Sequence, residues 1–202
     1  MALPREVVLD GIVVQMAETE ALLRSLDAEE WERPSRCDGW TVGDVARHCV
    51  GSMASDVSGN TDGLGTPEVT QREVAERAGR SPSEVADELA EVAKAAAALL
   101  PAFDDAAWDG PAPGGYEGTL GDGIEALWYD FWLHADDIRQ GVGRPTVAQP
   151  GLDGAVSHVR YELAKRGWDG EVPTDPEAQV GWVMAATGRA PTPPGLLDIY
   201  AD

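Results

Sequence analysis

Asp130 and His134 stand four residues apart in the stretch Asp130–Phe131–Trp132–Leu133–His134. On a helix this spacing turns the two side chains only about 40° from one another, so a carboxylate and an imidazole can share one metal ion. Asp137 falls on the same stripe. Ile124, Leu127, Phe131 and Ile138 lie beside it, which places the polar pair at the border of the apolar arc, facing the interior or its rim. A buried carboxylate next to a buried histidine is costly unless it is paired or metal-bound. For the pair taken alone, the ordinary alternatives are a helix-surface contact or a satisfied core histidine.

His48 supplies the further donor. It stands beside Val45 and Cys49 at the edge of another apolar face, a placement that also suits a packed histidine. Two imidazoles and one carboxylate leave coordination positions open to water or substrate, as catalytic sites do and closed structural sites do not. Zinc suits this set, and iron(II) and nickel tolerate it. The third histidine, His158, points away from Val156, Val159 and Leu163 and is expected on the surface. Cys49 projects about 100° around the helix from His48 and is expected in the core. Cys37, in the loop ahead of that helix, is a candidate reactive thiol.

The elements that must position these groups are helices. Val8, Ile12, Met16 and Leu22 recur at near-helical intervals in a first helix over residues 7–26. Pro34 and the Asp38–Gly39 pair break the pattern. Thr41, with Asp44 three residues on, caps a second helix carrying Val42, Val45, Ala46, Cys49 and Met53 on one face. Residues 55–66 read as a loop and 67–78 as a short helix. Ser81–Pro82–Ser83–Glu84 opens another long helix, and a fourth spans residues 120–140. Helical patterns over 154–166 and 176–188 form a C-terminal cap. Linkers too short for crossover sheets make this an all-α bundle, divided into a four-helix unit over residues 1–145 and a C-terminal helical extension over 146–202.

The chain of 202 residues holds 36 acidic and 15 basic residues, a formal charge of −21. Lysine occurs only at Lys94 and Lys165 and the arginines are scattered, so nucleic acid and anionic membrane surfaces are poor partners. Acids interrupt the N-terminal apolar residues where a signal peptide needs its core, and no run spans a bilayer. Two cysteines, Cys37 and Cys49, lack CxxC spacing and make a thin disulfide framework. A cytoplasmic protein, monomeric or homodimeric, is expected. The Gly110–Gly115 stretch lacks the strand and lysine of a phosphate loop.

The segment Arg33–Pro34–Ser35–Arg36–Cys37–Asp38–Gly39–Trp40–Thr41–Val42–Gly43–Asp44–Val45–Ala46–Arg47–His48 resembles the corresponding stretch of mycothiol-dependent maleylpyruvate isomerase-like proteins, within the DinB/YfiT-like superfamily of four-helix metalloproteins. Asp130–Phe131–Trp132–Leu133–His134–Ala135–Asp136–Asp137–Ile138–Arg139, followed by Gly143–Arg144–Pro145, resembles the family's second signature. The late Ala186–Thr187–Gly188–Arg189–Ala190–Pro191 is similar to its C-terminal motif. The resemblance implies a DinB-like bundle holding a divalent metal, usually zinc, on His48, Asp130 and His134. The family more often has Glu at the place of Asp130. It further implies that the metal activates mycothiol or a similar low-molecular-weight thiol for attack on a small electrophile, giving an S-conjugate or a cis–trans isomerised product. Trp40 and Arg139 become candidate cofactor contacts, with Trp31 a further candidate for the cavity wall. Asp44 and Asp137 become candidates for holding a ligating histidine in its tautomer. Two other functions fit the same fold: a metal- or ligand-binding stress module without catalysis, and a biosynthetic tailoring enzyme that uses the cavity without a thiol.

Overall fold

The computed structural model describes residues 3–201 and, among them, is built of helices, with two isolated β-bridges as its only strand-like pairings. The elements are α1 (Arg5–Arg24), α2 (Ala28–Trp31), α3 (Val42–Ser58), α4 (Pro67–Glu76), α5 (Pro82–Leu99), α6 (Asp105–Trp108), α7 (Leu120–Gly141), α8 (Leu152–Lys165) and α9 (Pro176–Ala186). The all-α bundle expected from the sequence is the fold observed.

Capping fixes where the long helices start. Thr41, Ser81 and Thr119 each accept a hydrogen bond from the backbone N–H three residues on, and the carboxylates of Asp44, Glu84 and Asp122 accept one in return from the cap residue's backbone N–H. These reciprocal pairs satisfy backbone donors that would otherwise lack partners at a helix start. Asp27 and Glu30 make the same box for α2, a single turn within a stretch that reads as a helix break. At its far end α3 runs four residues into the expected loop, to Ser58, where Gly59 takes the left-handed conformation and ends it.

The bundle consists of α1, α3, α5 and α7. α1 packs on α5 and α7, and α3 packs on the same two helices from the other side. Ile12 and Met16, Val45 and Val50, Val85 and Leu89, and Ile124 and Phe131 form a continuous apolar core between them. The opposite side of α7 is also apolar. Tyr129, Trp132 and Leu133 join Leu152, Val159 and Leu163 of α8 and Val183 and Met184 of α9 in a second cluster. The C-terminal extension thus packs on the bundle through a second core that α7 shares with α8 and α9, where a cap without a second core is expected. The physical reason is the run of large aromatics around α7, too wide for one bundle face to cover. Trp128 is sandwiched between α1 and α8, whose Gly11 and Gly154 leave no room for a side chain against its ring.

Candidate metal centre

His48 projects from the middle of α3, and Asp130 and His134 from adjacent turns of α7, into the seam between the two helices. His134 Nε2 lies 3.4 Å from Asp130 Oδ1, and His48 Nε2 lies 4.0 Å from Asp130 Oδ2. The two imidazoles meet edge to face, with centroids 5.3 Å apart. One ligand atom from each residue lies within 4.8 Å of the others. Asp130, though a methylene shorter than Glu, therefore reaches between both imidazoles.

The remaining ring nitrogens are also held. His48 Nδ1 is 3.1 Å from Glu73 Oε2, and His134 Nδ1 is 3.0 Å from Asp137 Oδ2. An Nδ1–H donated to a carboxylate leaves Nε2 with its lone pair, turned toward Asp130. Carboxylates that orient histidines and raise their basicity are the usual outer support of a metal site. The donor types, their mutual spacing and this support all fit a divalent ion. In the metal-free chain, burial works against a charged His134. The charge of Asp130 and hydrogen bonding to Asp137 and Cys37 outweigh it and push the pKa up to about 10.

Glu73 comes from α4, which the sequence reading treats as a plain short helix. Gly51 of α3 lets α4 approach so closely that a Cβ there would lie 2.6 Å from the Glu73 Cβ. Arg77, one turn on, donates to the Glu73 carbonyl at 3.0 Å and to Glu88 of α5 at 2.7 Å, anchoring α4 to the bundle. Val69, Glu73 and Arg77, at four-residue intervals, are all buried on this face, a burial that no local sequence signal announces.

Asp137 is fully buried and ties the centre to the C-terminal tail. Arg189 grips it with two hydrogen bonds, Nε to Oδ1 at 2.9 Å and Nη2 to Oδ2 at 2.7 Å. Burial alone would raise the Asp137 pKa, but hydrogen bonds from His134 and Arg189 bring it well below the usual carboxylate range. Cys37 Sγ donates to Asp137 Oδ2 at 3.3 Å and lies 3.8 Å from His134 Nδ1. The loop holding Cys37 is closed by Ser35 N–H to the Trp40 carbonyl and Val42 N–H to the Arg33 carbonyl. Arg36 of the same loop reaches Asp136 of α7 at 2.7 Å.

A cavity of about 580 Å³ opens onto His48 and Asp130 and extends toward α8 and the C-terminal residues. Tyr129 and Tyr200 share a 2.8 Å hydrogen bond in its wall. Burial, with Glu73 and Asp130 nearby, raises the Asp56 carboxyl in the same wall to about 7.

Several expected residues lie elsewhere. Asp44 does not support a histidine: one oxygen serves the Thr41 cap and the other accepts from Arg47. Arg139 is buried and does not line this cavity. Trp40 stands edge to face against His48, with centroids 5.4 Å apart, but outside the cavity lining. Trp31 is core, stacked under Arg47. Cys49 is buried, as expected, and burial pushes its thiol well up. His158 is not on the surface: α8 presses it onto Tyr129 at 4.5 Å, and burial lowers it to about 4, so it is neutral.

Among the described residues no helix is long and apolar enough to cross a membrane. The sequence model of the mycothiol maleylpyruvate isomerase N-terminal domain matches residues 14–139. A search of curated proteins finds no match. Two solved structures share the fold. Crystal structures of the mycothiol-dependent maleylpyruvate isomerase and of its histidine-to-alanine mutant superpose with TM-scores of 0.64 and 0.66. Each is 17% identical, over 93% of this chain and 90% of the other.

Proposed function

Since the chain belongs to the mycothiol maleylpyruvate isomerase N-terminal domain family, we propose that it is a metal-dependent enzyme that adds or transfers a low-molecular-weight thiol, mycothiol by family, to a small electrophile. The observation carrying this reading is the convergence of His48, Asp130 and His134, the first two of them in the wall of a cavity, with Glu73 and Asp137 behind the two imidazoles. His48 and His134, through Nε2, and Asp130, through a carboxylate oxygen, are the residues that would hold a divalent ion. Such an ion, bound beside a thiol, favours the thiolate at neutral pH, and the thiolate is the nucleophile.

The chain's own groups do the rest. Glu73 and Asp137 fix the tautomers of His48 and His134, and Arg189 holds Asp137 ionised in a buried position. The cavity confines the electrophile next to the centre. Two outcomes share this arrangement. In transfer, sulfur bonds to the electrophilic carbon, a leaving group departs with its electron pair or a proton adds to the neighbouring carbon, and the S-conjugate is released. In isomerisation, sulfur bonds to one carbon of a conjugated cis double bond, and the π electrons move onto the conjugated carbonyl. The resulting single bond rotates, the carbon–sulfur bond breaks, and the thiolate leaves the trans product.

The test is a turnover assay with zinc-loaded and metal-stripped protein, with and without mycothiol, against a panel of haloarenes, enones and cis-enediones. Turnover that needs metal, thiol and electrophile together is the expected result. Undiminished turnover by stripped protein, or bound metal with no thiol consumption across the panel, overturns the reading.

A further inference from the structure

His158 is a buried group that the metal centre does not use. It is only 8% exposed, and from α8 it lines the same cavity as His48 and Asp130. Tyr129 of α7 stacks on its ring, with centroids 4.5 Å apart. Neither ring nitrogen has a hydrogen-bond partner among the described residues, yet neither is among the side-chain atoms that packing seals off from solvent. The unpaired edge of the ring is thus open to the cavity. Burial lowers His158 to about 4, so the ring is neutral and carries one N–H donor and one lone pair. Buried side-chain polar atoms have a partner in the large majority of cases.

The neighbours in the wall do not supply that partner. Glu162, one turn along α8, accepts from Lys165 at 3.1 Å and from Arg166 at 2.9 Å. Arg166 also donates to the Ile199 carbonyl at 2.6 Å. The Tyr129 and Tyr200 hydroxyls are bonded to each other at 2.8 Å. Ile12, Leu100, Phe103, Ile124 and Leu127 make much of the remaining wall apolar. A ligand seated in the cavity therefore meets the metal centre through His48 and Asp130, and a second polar contact in the open edge of His158.

We propose that His158 is a specificity-determining residue of the cavity: its open ring edge hydrogen-bonds a hydroxyl group on the bound reactant, carried either by the electrophile or by the body of the thiol. A hydroxyl serves either nitrogen, donating to the lone pair or accepting from the N–H. A site built to pair a hydroxyl rejects the analogue that lacks it, because its own buried polar group is then left unpaired. The inference rests on the proposed function in calling the ligand a reactant, whereas the contact itself is measured by binding alone.

The experiment is calorimetric binding to the zinc-loaded full chain, wild type and His158→Phe, in two arms. The electrophile arm compares para-hydroxymethyl with para-ethyl benzylideneacetone, without thiol. The thiol arm compares mercaptohexanol with heptanethiol, without electrophile. Phe keeps a ring against Tyr129 and removes both nitrogens. In one arm the preference for the hydroxyl probe over its apolar twin falls about tenfold in the variant, and that arm identifies the carrier of the hydroxyl. In wild-type protein with isotope-labelled histidine, the NMR signals of the His158 ring nitrogens move with the hydroxyl probe of that arm and not with its twin. A preference unchanged by the variant in both arms, ring-nitrogen signals that no probe moves, or no binding of any probe overturns the inference. Hydroxyl selectivity through His158 without thiol-dependent turnover leaves the subsite standing and removes the thiol chemistry, and turnover without that selectivity does the reverse.

Discussion

Glu73 holds His48 through Nδ1 at 3.1 Å just as Asp137 holds His134 through Nδ1 at 3.0 Å, so each imidazole facing Asp130 is backed by a carboxylate from a different element. Glu73 belongs to α4 and Asp137 to α7, yet the two contacts are chemically alike. The first orients the histidine of α3 and the second the histidine of α7. Both turn Nε2, the remaining donor atom, toward one point.

If these carboxylates orient ligands, removing either weakens metal binding without removing a ligand. Glu73→Gln and Asp137→Asn are each expected to lower zinc affinity by about 10- to 100-fold, measured by competition with a chelating dye. Affinity unchanged in both variants contradicts the role given to the two residues.

Metal affinity depends on pH through His134. Its proton, held to about pH 10 in the metal-free chain, must leave when an ion binds Nε2. Zinc affinity therefore rises with pH, by about tenfold per unit between pH 6 and 8 from this one proton. The linkage to folding runs the other way. A histidine whose pKa is raised on folding contributes stability that is fully present below its unfolded value of 6.5 and is lost as pH climbs toward 10. The stability difference between metal-free wild type and His134→Gln should shrink over that window in denaturant titrations.

Arg189 is a structural clamp on the centre. Arg189→Ala leaves the fully buried Asp137 without its bidentate partner, and loss of one member of a buried pair costs on the order of 3 kcal/mol. Chemical denaturation of the metal-free protein measures the loss. A change under 0.5 kcal/mol, the scale of an ordinary surface substitution, contradicts the clamp.

The Trp128 sandwich has a stability signature of its own. A Cβ on Gly154 would lie 2.6 Å from Trp128 Cδ2. Overpacking at such a site costs about 1–3 kcal/mol, more than the helix propensity of about 1 kcal/mol that Ala regains over Gly. Gly154→Ala is thus expected to lower the melting temperature, and a rise would mean that α8 yields.

Much of this was readable in the chain because it is local. The caps at Thr41 and Ser81 mark two long-helix starts, and the four-residue step from Asp130 to His134 puts two chemically apt side chains on one face. Glu73, Arg189 and His158 were not readable in the same way, because their roles depend on contacts between elements. Glu73 looks like a solvated charge on a short polar helix until Gly51 admits α4 to the surface of α3. Arg189 lies in a motif whose partner, Asp137, is 52 residues earlier. His158 is polar on its own helix, yet α7 supplies the aromatic that covers it. Asp44 misleads for the opposite reason: its local role as a cap uses the carboxylate that a histidine would need.

The central claim is that His48, Asp130 and His134 hold one divalent ion. Elemental analysis of untagged protein purified without chelators, beside the His134→Ala variant, tests it most directly. The account predicts close to one divalent metal per chain in the native protein and its loss in the variant. Native protein that carries no metal even after zinc is supplied, or a variant that keeps its metal, contradicts it.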